Sequence, residues 1–311
     1  MAHYGIPYKG NKSKIAEEIL EALPSGRRLV DLFGGGFAIT ECALRKFPNK
    51  WERFFWNDYD KRLAPLIEDA IAGKYSPERF KPKWITRDEF NAKRDEDGYI
   101  AFVWSFGNNG RDYLFGADVE EVKRQAFEFV VNGTPSELFP FELVTKSVHD
   151  RRIEFMRKTK TKDEGRLIPC ERLENLENLE SIGNLQCLTQ LEPLSRLEPL
   201  SRLDYRDYVY QEGDVIYCDI PYENELNPTY HGIHEGGFDH EAFYKWASEQ
   251  PATVYYSNYT RGALIWQKQV RSVLNSSSGA VYRNEALLAI GSQEKPKASA
   301  IQDKQISLFD F

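Results

Sequence analysis

Residues Arg28-Leu-Val-Asp-Leu-Phe-Gly-Gly-Gly36 begin as a short apolar strand, 28–33, and end in three consecutive glycines, with a helical stretch over 37–46. Apolar runs of this length bounded by glycine read as strands. Working outward, the same alternation recurs. Residues 11–23 predict an amphipathic helix, with Ile15, Ile19 and Leu23 on one face and Pro24-Ser25-Gly26 as its stop. Residues 53–56 predict a second strand ending in Asn57-Asp58, and a helix follows over about 61–72. The rhythm resumes with a strand at 214–218, a helix at 239–249, a strand at 253–257 and a closing hairpin within 270–290. Strands alternating with helices predict an α/β fold, a parallel sheet covered by helices.

From about 85 to 204 the pattern changes, which predicts a domain inserted between two halves of one sheet. The expected division is 1–88, 89–203, 204–291 and a flexible tail at 292–311. The insertion opens with the aromatic, glycine-rich stretch Phe102–Gly110, then a helix at about 117–131. A basic segment follows: Lys146, Arg151, Arg152, Arg157, Lys158, Lys160 and Lys162 face only Asp150 and Glu154. It suits a nucleic-acid surface or an ordinary solvated loop. From Leu173 to Leu203 an apolar residue, Leu or Ile182, recurs at every third position. A period of three drifts around an α-helix, and Pro193 and Pro199 oppose one. A variable, loosely packed insertion is expected there, with an oligomerising or DNA-following element as the alternative.

The 311 residues suffice for one large domain or two modest ones. Net charge is −7, which argues against a general DNA-coating protein but leaves room for a locally basic DNA site. No run approaches the roughly 20 apolar residues of a membrane span, and no secretory leader is evident. The four cysteines show no Cys-x-x-Cys spacing and the histidines add no zinc pattern, so reduced thiols, no metal and a cytoplasmic setting are expected.

Three places carry chemistry. The turn Gly34-Gly35-Gly36 lets backbone approach a ligand closely and exposes helix N-terminal amides. It fits several nucleotide-like cofactors, but Ala38 and Ile39 stand where a dinucleotide fingerprint would continue, which disfavours a dehydrogenase. Asp58, at the end of the second strand, suits either a ribose diol or a helix cap. In Val215-Ile-Tyr-Cys-Asp-Ile-Pro-Tyr222 an apolar run ends in a carboxylate, a rigid turn and an aromatic face, the groups needed to grip a flat amino-bearing ring.

Together, Tyr8-Lys-Gly-Asn-Lys12, the turn Leu29–Gly36, Asn57-Asp58 and Asp219-Ile-Pro-Tyr222 resemble, in this order, the Dam-like D12 class of DNA adenine-N6 methyltransferases. The similarity covers roughly 1–90 and 204–290. It implies a Rossmann-like sheet with helices on both faces, interrupted by a target-recognition domain. It also implies that Tyr8, Lys12, Asp58 and Asp219 contact S-adenosylmethionine, together with the turn Asp31, Phe33, Gly34, Gly35 and Gly36, and that the acidic-aromatic element Asp204-Tyr205 reaches the cofactor's adenine. Asp219, Ile220, Pro221 and Tyr222 would then be catalytic. DNA-binding candidates are Asn108, Asn109 and Arg111 in the loop, and Arg151, Arg152, Arg157 and Lys158 in the basic segment. Two departures stand out: Phe37 where the family often has glycine, and Ile220 where it has the first proline of its motif. Ile220 still supplies a main-chain carbonyl and loses only proline's φ restraint.

The resemblance implies methyl transfer to a base flipped from double-stranded DNA, in a bacterial or phage-infected cell, with restriction-modification as a context. Methylation of cytosine N4 is a second reading, though that group more often carries Ser where Asp219 stands. A non-catalytic DNA- or clamp-binding protein of the same fold is a third. Asn258, ending a later strand, either shapes the pocket or forms a turn. Finally, Gln305-Ile-Ser-Leu-Phe309 resembles the peptide by which bacterial proteins dock on the sliding clamp, with Gln305, Leu308 and Phe309 as contacts; a simple packing tail is the alternative.

Overall fold

The computed structural model describes residues 3–160, 176–192, 194–222, 237–258, 261–272 and 281–291. In chain order these form α1 (Ala16–Ala22), β1 (Gly26–Asp31), α2 (Ala38–Lys46), β2 (Trp51–Trp56), α3 (Leu63–Ile71), α4 (Arg87–Lys93), α5 (Gly98–Val103), α6 (Glu120–Asn132), α7 (Val148–Lys160), α8 (Glu177–Cys187), β3 (Asp214–Cys218), α9 (His240–Glu249), β4 (Val254–Ser257), β5 (Ala263–Ser272) and β6 (Val281–Ile290).

The strands form one sheet in the order β2-β1-β3-β4-β6-β5. The first four are parallel and the β5–β6 hairpin closes the sheet antiparallel. Side chains on a strand point alternately to the two faces, and the core divides accordingly. Leu29, Val215, Tyr217, Tyr255 and Leu287 belong to one cluster, with the buried residues of α1 and α2. Val30, Ile216, Cys218, Val254 and Leu288 belong to the other, with Phe243, Trp246 and Ala247 of α9. Helices therefore cover both faces, as expected. A buried network ties β1 to β3: Arg28 donates through Nε and Nη2 to the two oxygens of Asp214 at 2.8 and 2.9 Å, and through Nη1 to Glu198 at 3.1 Å. No helix among the described residues is long and apolar enough to cross a membrane. Cys42 and Cys218 are buried free thiols and Cys187 an exposed one; Cys170 lies outside the described residues.

Three expectations change. The first helix starts at Ala16 rather than 11, because Asn11 takes up the chain before it. Its Oδ1 accepts from Ser13 N at 2.7 Å, while its Nδ2 donates to the carbonyls of Tyr4 and Ile6, both at 3.1 Å. The hairpin's first strand begins at Ala263, earlier than expected; its mixed polar sequence carries little periodicity, as befits an edge strand.

From Leu176 to Leu191 the leucine repeat is also not loosely packed, whereas Leu194 and Leu203 are exposed. Leu176, Leu179, Ile182, Leu185, Leu188 and Leu191 are all buried, in the same cluster as α1, α2 and α3. The repeat changes conformation along its length. An α-helix carries only 177–187, over which a period of three spreads across a wide but single apolar face. Residues 188–190 continue as 3₁₀ helix, whose turn is three residues. Beyond it Leu197 pairs with Phe54 and Ser201 with Asn57 in parallel bridges along β2. The described part of the insertion thus shares its core with the first half of the chain.

Candidate active site

Register aligns the carboxyl ends of the central strands. Asp31 lies beside Trp56 of β2 on one side and Tyr217 of β3 on the other. The chain passes from β1 to β2 on one flank and returns to β3 on the other, the switch point at which open α/β sheets form ligand crevices. A cleft opens there, lined by Tyr8, Lys12, Asp31, Phe33, Gly34, Gly35, Gly36, Asp58, Asp204 and Asp219, so every cofactor candidate named from the sequence meets in one place.

Each wall has a local cause. Ile6 N donates to the Gly36 carbonyl at 2.8 Å, laying the N-terminal segment over the glycine turn. A Cβ on Gly35 would come within 2.9 Å of the Tyr8 ring, and one on Gly34 within 2.0 Å of the Trp56 indole nitrogen. The glycines are therefore required by the protein's own packing, quite apart from any ligand. Phe37 keeps the left-handed backbone that glycine would adopt, with φ 71°, and sits immediately before α2. Its ring is fully buried, 6.4 Å from that of Trp56, and does not line the cleft. The substitution is thus absorbed behind the turn. Asn57, buried, holds the next wall: Nδ2 donates to the carbonyls of Leu32 and Leu203, both at 3.0 Å, and Oδ1 accepts from Leu203 N at 2.7 Å. This anchoring delivers Asp204 and Tyr205 to the cleft. Asp204 caps the turn 205–207 and pairs with Arg206 at 2.5 Å.

Three carboxylates crowd this space. Asp31 is buried; its Oδ2 accepts from Thr40 Oγ1 at 2.8 Å, while its buried Oδ1 has no hydrogen-bond partner among the described residues. Burial pushes the Asp31 carboxyl up to about 7; the Thr40 bond opposes this, and Asp219 and Asp58 add to it. Asp58 accepts from Gly35 N and Asp60 N, both at 2.8 Å, and is likewise pushed up to about 7, chiefly by burial. Its role as a helix cap is not what it does here: it braces the glycine turn. Lys12 Nζ lies 2.9 Å from Asp219 Oδ1 and 5.1 Å from the centre of the Tyr222 ring. Burial works against the Lys12 ammonium, but Asp219 and then Glu285 outweigh it and hold the group charged. A cleft with this surplus of carboxylate, and one orphaned acceptor, fits a cationic ligand that brings N–H or O–H donors.

The catalytic candidates separate. Asp219 and Pro221 line the cleft. Ile220 is buried in the core beside Cys218, and Tyr222 donates its hydroxyl to Glu285 at 2.5 Å. Asn258 is buried and donates to the Tyr244 hydroxyl at 3.0 Å; it does not line the cleft. Phe33, Tyr205 and Phe238 form an aromatic wall with ring centres 5.3–6.0 Å apart. Of these, Phe238 was not foreseen as a site residue. Gly237-Phe238-Asp239, immediately before α9, carried only a capping signal, and Asp239 does accept from Ala242 N at 2.9 Å.

The DNA candidates are divided by the fold. Asn108 has φ 54° and donates to Phe102 O at 2.7 Å and Ser181 Oγ at 3.2 Å, so it pins the loop 105–110. Its carbonyl accepts from Lys9 N at 3.2 Å, which places that loop against the cleft's rim. Asn109 closes a turn onto Arg111 N and Asp112 N, at 2.8 and 3.0 Å, and Arg111 is half-buried. In α7, Arg151 donates to Phe129 O at 2.8 Å, Arg152 pairs with Glu180 at 3.3 Å, and Lys158 pairs with Glu154 at 2.9 Å. These three are half-buried and each has a partner within the protein, whereas Arg157 is exposed. Lys162 and the tail residues Gln305, Leu308 and Phe309 lie outside the described residues.

No curated protein matches the chain. Residues 8–112 match the family model of the D12 class N6 adenine-specific DNA methyltransferase, and this stretch holds Tyr8, Lys12, the glycine turn and Asp58. Asp219–Tyr222 lie beyond it, joined to it by the 2.9 Å contact from Lys12. The Dam-like resemblance is borne out over the matched residues, and the family indicates an adenine-specific DNA methyltransferase.

Proposed function

We propose that the cleft binds S-adenosylmethionine and that the chain transfers its methyl group to N6 of an adenine flipped out of duplex DNA. The observation that carries this is the meeting of Asp31, Asp58 and Asp219 at one switch point, with Asp31 Oδ1 buried and unpartnered. The cofactor is cationic at sulfur and at its amino group, and when bound it supplies the activated methyl. Asp58 and Asp31 would accept its ribose and amino donors, Tyr8 and the glycine turn would flank it, and the wall of Phe33, Tyr205 and Phe238 suits its adenine.

Asp219 and the Ile220 carbonyl would accept the two N–H bonds of the target amino group. A nitrogen held this way is more tetrahedral, and its lone pair is freed from the ring to attack. The product nitrogen then sheds one proton to solvent. Tyr222 would stack on the flipped base, a contact worth about 1–3 kcal/mol. Lys12 donates to Asp219 Oδ1, so an incoming amino group shares or displaces that bond. We further propose that residues 89–203 read the DNA target, with the loop 105–110 and Arg157 as its contacts, and that Gln305–Phe309 dock on a sliding clamp.

The test uses the full chain, labelled S-adenosylmethionine and bacterial genomic DNA lacking adenine methylation. Asp219→Ala should still fold, although it loses the ion pair to Lys12, and should transfer no methyl group even at cofactor concentrations that saturate it. Undiminished transfer by that variant, or N4-methylcytosine as the product, would refute the assignment.

A further inference from the structure

Ile220 stands where a proline would hold φ near −65°. The backbone that must present the residue-220 carbonyl has therefore lost one covalent restraint. Two side chains from outside the motif bracket the segment. From β6, Glu285 accepts the Tyr222 hydroxyl bond at 2.5 Å. From the first turn of α9, His240 Nε2 lies 2.7 Å from the Pro221 carbonyl oxygen. A carbonyl only accepts, so Nε2 carries the proton. Neither anchor is loose. Glu285 sits in register with Lys268 in the β5–β6 ladder, and the His240 ring packs edge-on to Phe238 with centres 4.9 Å apart. Ile220 itself is 2% exposed. Three successive residues are thus held, 220 by burial, 221 by His240 and 222 by Glu285.

We propose that Glu285 and His240 are positioning residues that clamp Ile220–Tyr222 and replace, from outside, the rigidity an Asp-Pro-Pro-Tyr segment has from its first proline; this rests on the base-pocket role given above to Asp219–Tyr222. The bond to the Glu285 carboxylate is charge-assisted and correspondingly strong. Methyl transfer depends on near-attack geometry, to which displacements of an ångström matter. The clamp therefore acts on turnover and leaves cofactor binding alone.

The experiment measures kcat on the same genomic DNA, cofactor affinity by calorimetry and thermal melting, for the full chain and its variants. Glu285→Ala and His240→Ala should each lower kcat about tenfold with cofactor affinity within about twofold of native. Glu285→Gln, which keeps an acceptor oxygen, should retain most of the turnover. Adding Ile220→Pro to either alanine variant should recover most of the loss. A native chain that turns over while both alanine variants match it overturns the clamp and leaves the methyltransferase reading standing. So does a loss that follows the melting temperature and is not recovered by Ile220→Pro. A native chain that neither binds the cofactor nor transfers methyl overturns the underlying reading first, and the clamp with it.

Discussion

Asp31→Asn tests the charge balance of the cleft most directly. The Asp31 carboxyl is pushed from an ordinary 3.8 up to about 7, first by burial and then, against the Thr40 bond, by Asp219 and Asp58. In the unfolded chain it returns to its ordinary value. Below about pH 4 both states are protonated and the group contributes its full share of stability. As pH rises toward about 7 the unfolded chain gives up the proton while the folded chain retains it, so stability falls; above about 7 both are ionised and the loss is complete. The displacement is about 3 pH units, and at 1.36 kcal/mol per unit the loss is about 4 kcal/mol at most. Asparagine keeps an acceptor for Thr40 but cannot ionise, so the variant should lack this slope. The assay is urea denaturation of both proteins from pH 4 to pH 8 without cofactor, read as the native-minus-variant difference. Asp58 is among the charges that raise Asp31, so the native slope is read as that of the group in its surroundings and not of a lone carboxyl. Saturating S-adenosylmethionine, by bringing donors to Oδ1, should flatten the native slope. Parallel pH–stability curves for the two proteins without cofactor would refute the reasoning.

Phe37→Gly should relieve left-handed strain of roughly 1 kcal/mol but empty a buried ring site worth about 3–5 kcal/mol. A net loss of about 2–4 kcal/mol is expected by urea titration, with cofactor affinity nearly unchanged, since the ring faces away from the cleft. Arg157→Ala should weaken DNA binding and its salt dependence without affecting the melting temperature. Arg151→Ala should instead lower the melting temperature, because its guanidinium holds the Phe129 carbonyl at the end of α6; fluorescence anisotropy on a duplex and a thermal melt separate the two. Deleting 305–311 should leave methylation of short duplexes intact and remove clamp binding, read by surface plasmon resonance.

Much of the site was legible because strands deliver residues to predictable places. A carboxylate just past an apolar run lies at the sheet's carboxyl edge, so Asp31, Asp58 and Asp219 could be named from spacing and motif before any contact was known. Residues that support the site from a distance left no such trace. Asn57 was visible only as Asp58's neighbour, yet it joins β1 to the chain returning from the insertion. Glu285 and His240 lie 63 and 19 residues from the groups they hold. The partners within α7 were equally invisible: Arg151, Arg152 and Lys158 read as a basic face, and their long aliphatic stems let them also reach a carbonyl or carboxylate of α6, α8 or α7 itself.

By itself the sequence determined the α/β alternation, the glycine turn, the order of the motifs and hence the resemblance they carry, because these rest on local periodicity and short-range backbone chemistry. The tertiary structure decided the rest. It showed that Gly34 and Gly35 are demanded by Trp56 and Tyr8, that Phe37 is tolerated because its ring packs behind the turn, and that the leucine repeat from Leu176 to Leu191 is core. A residue's partner, its burial and the direction of its side chain depend on elements distant in the chain, and no local pattern encodes them.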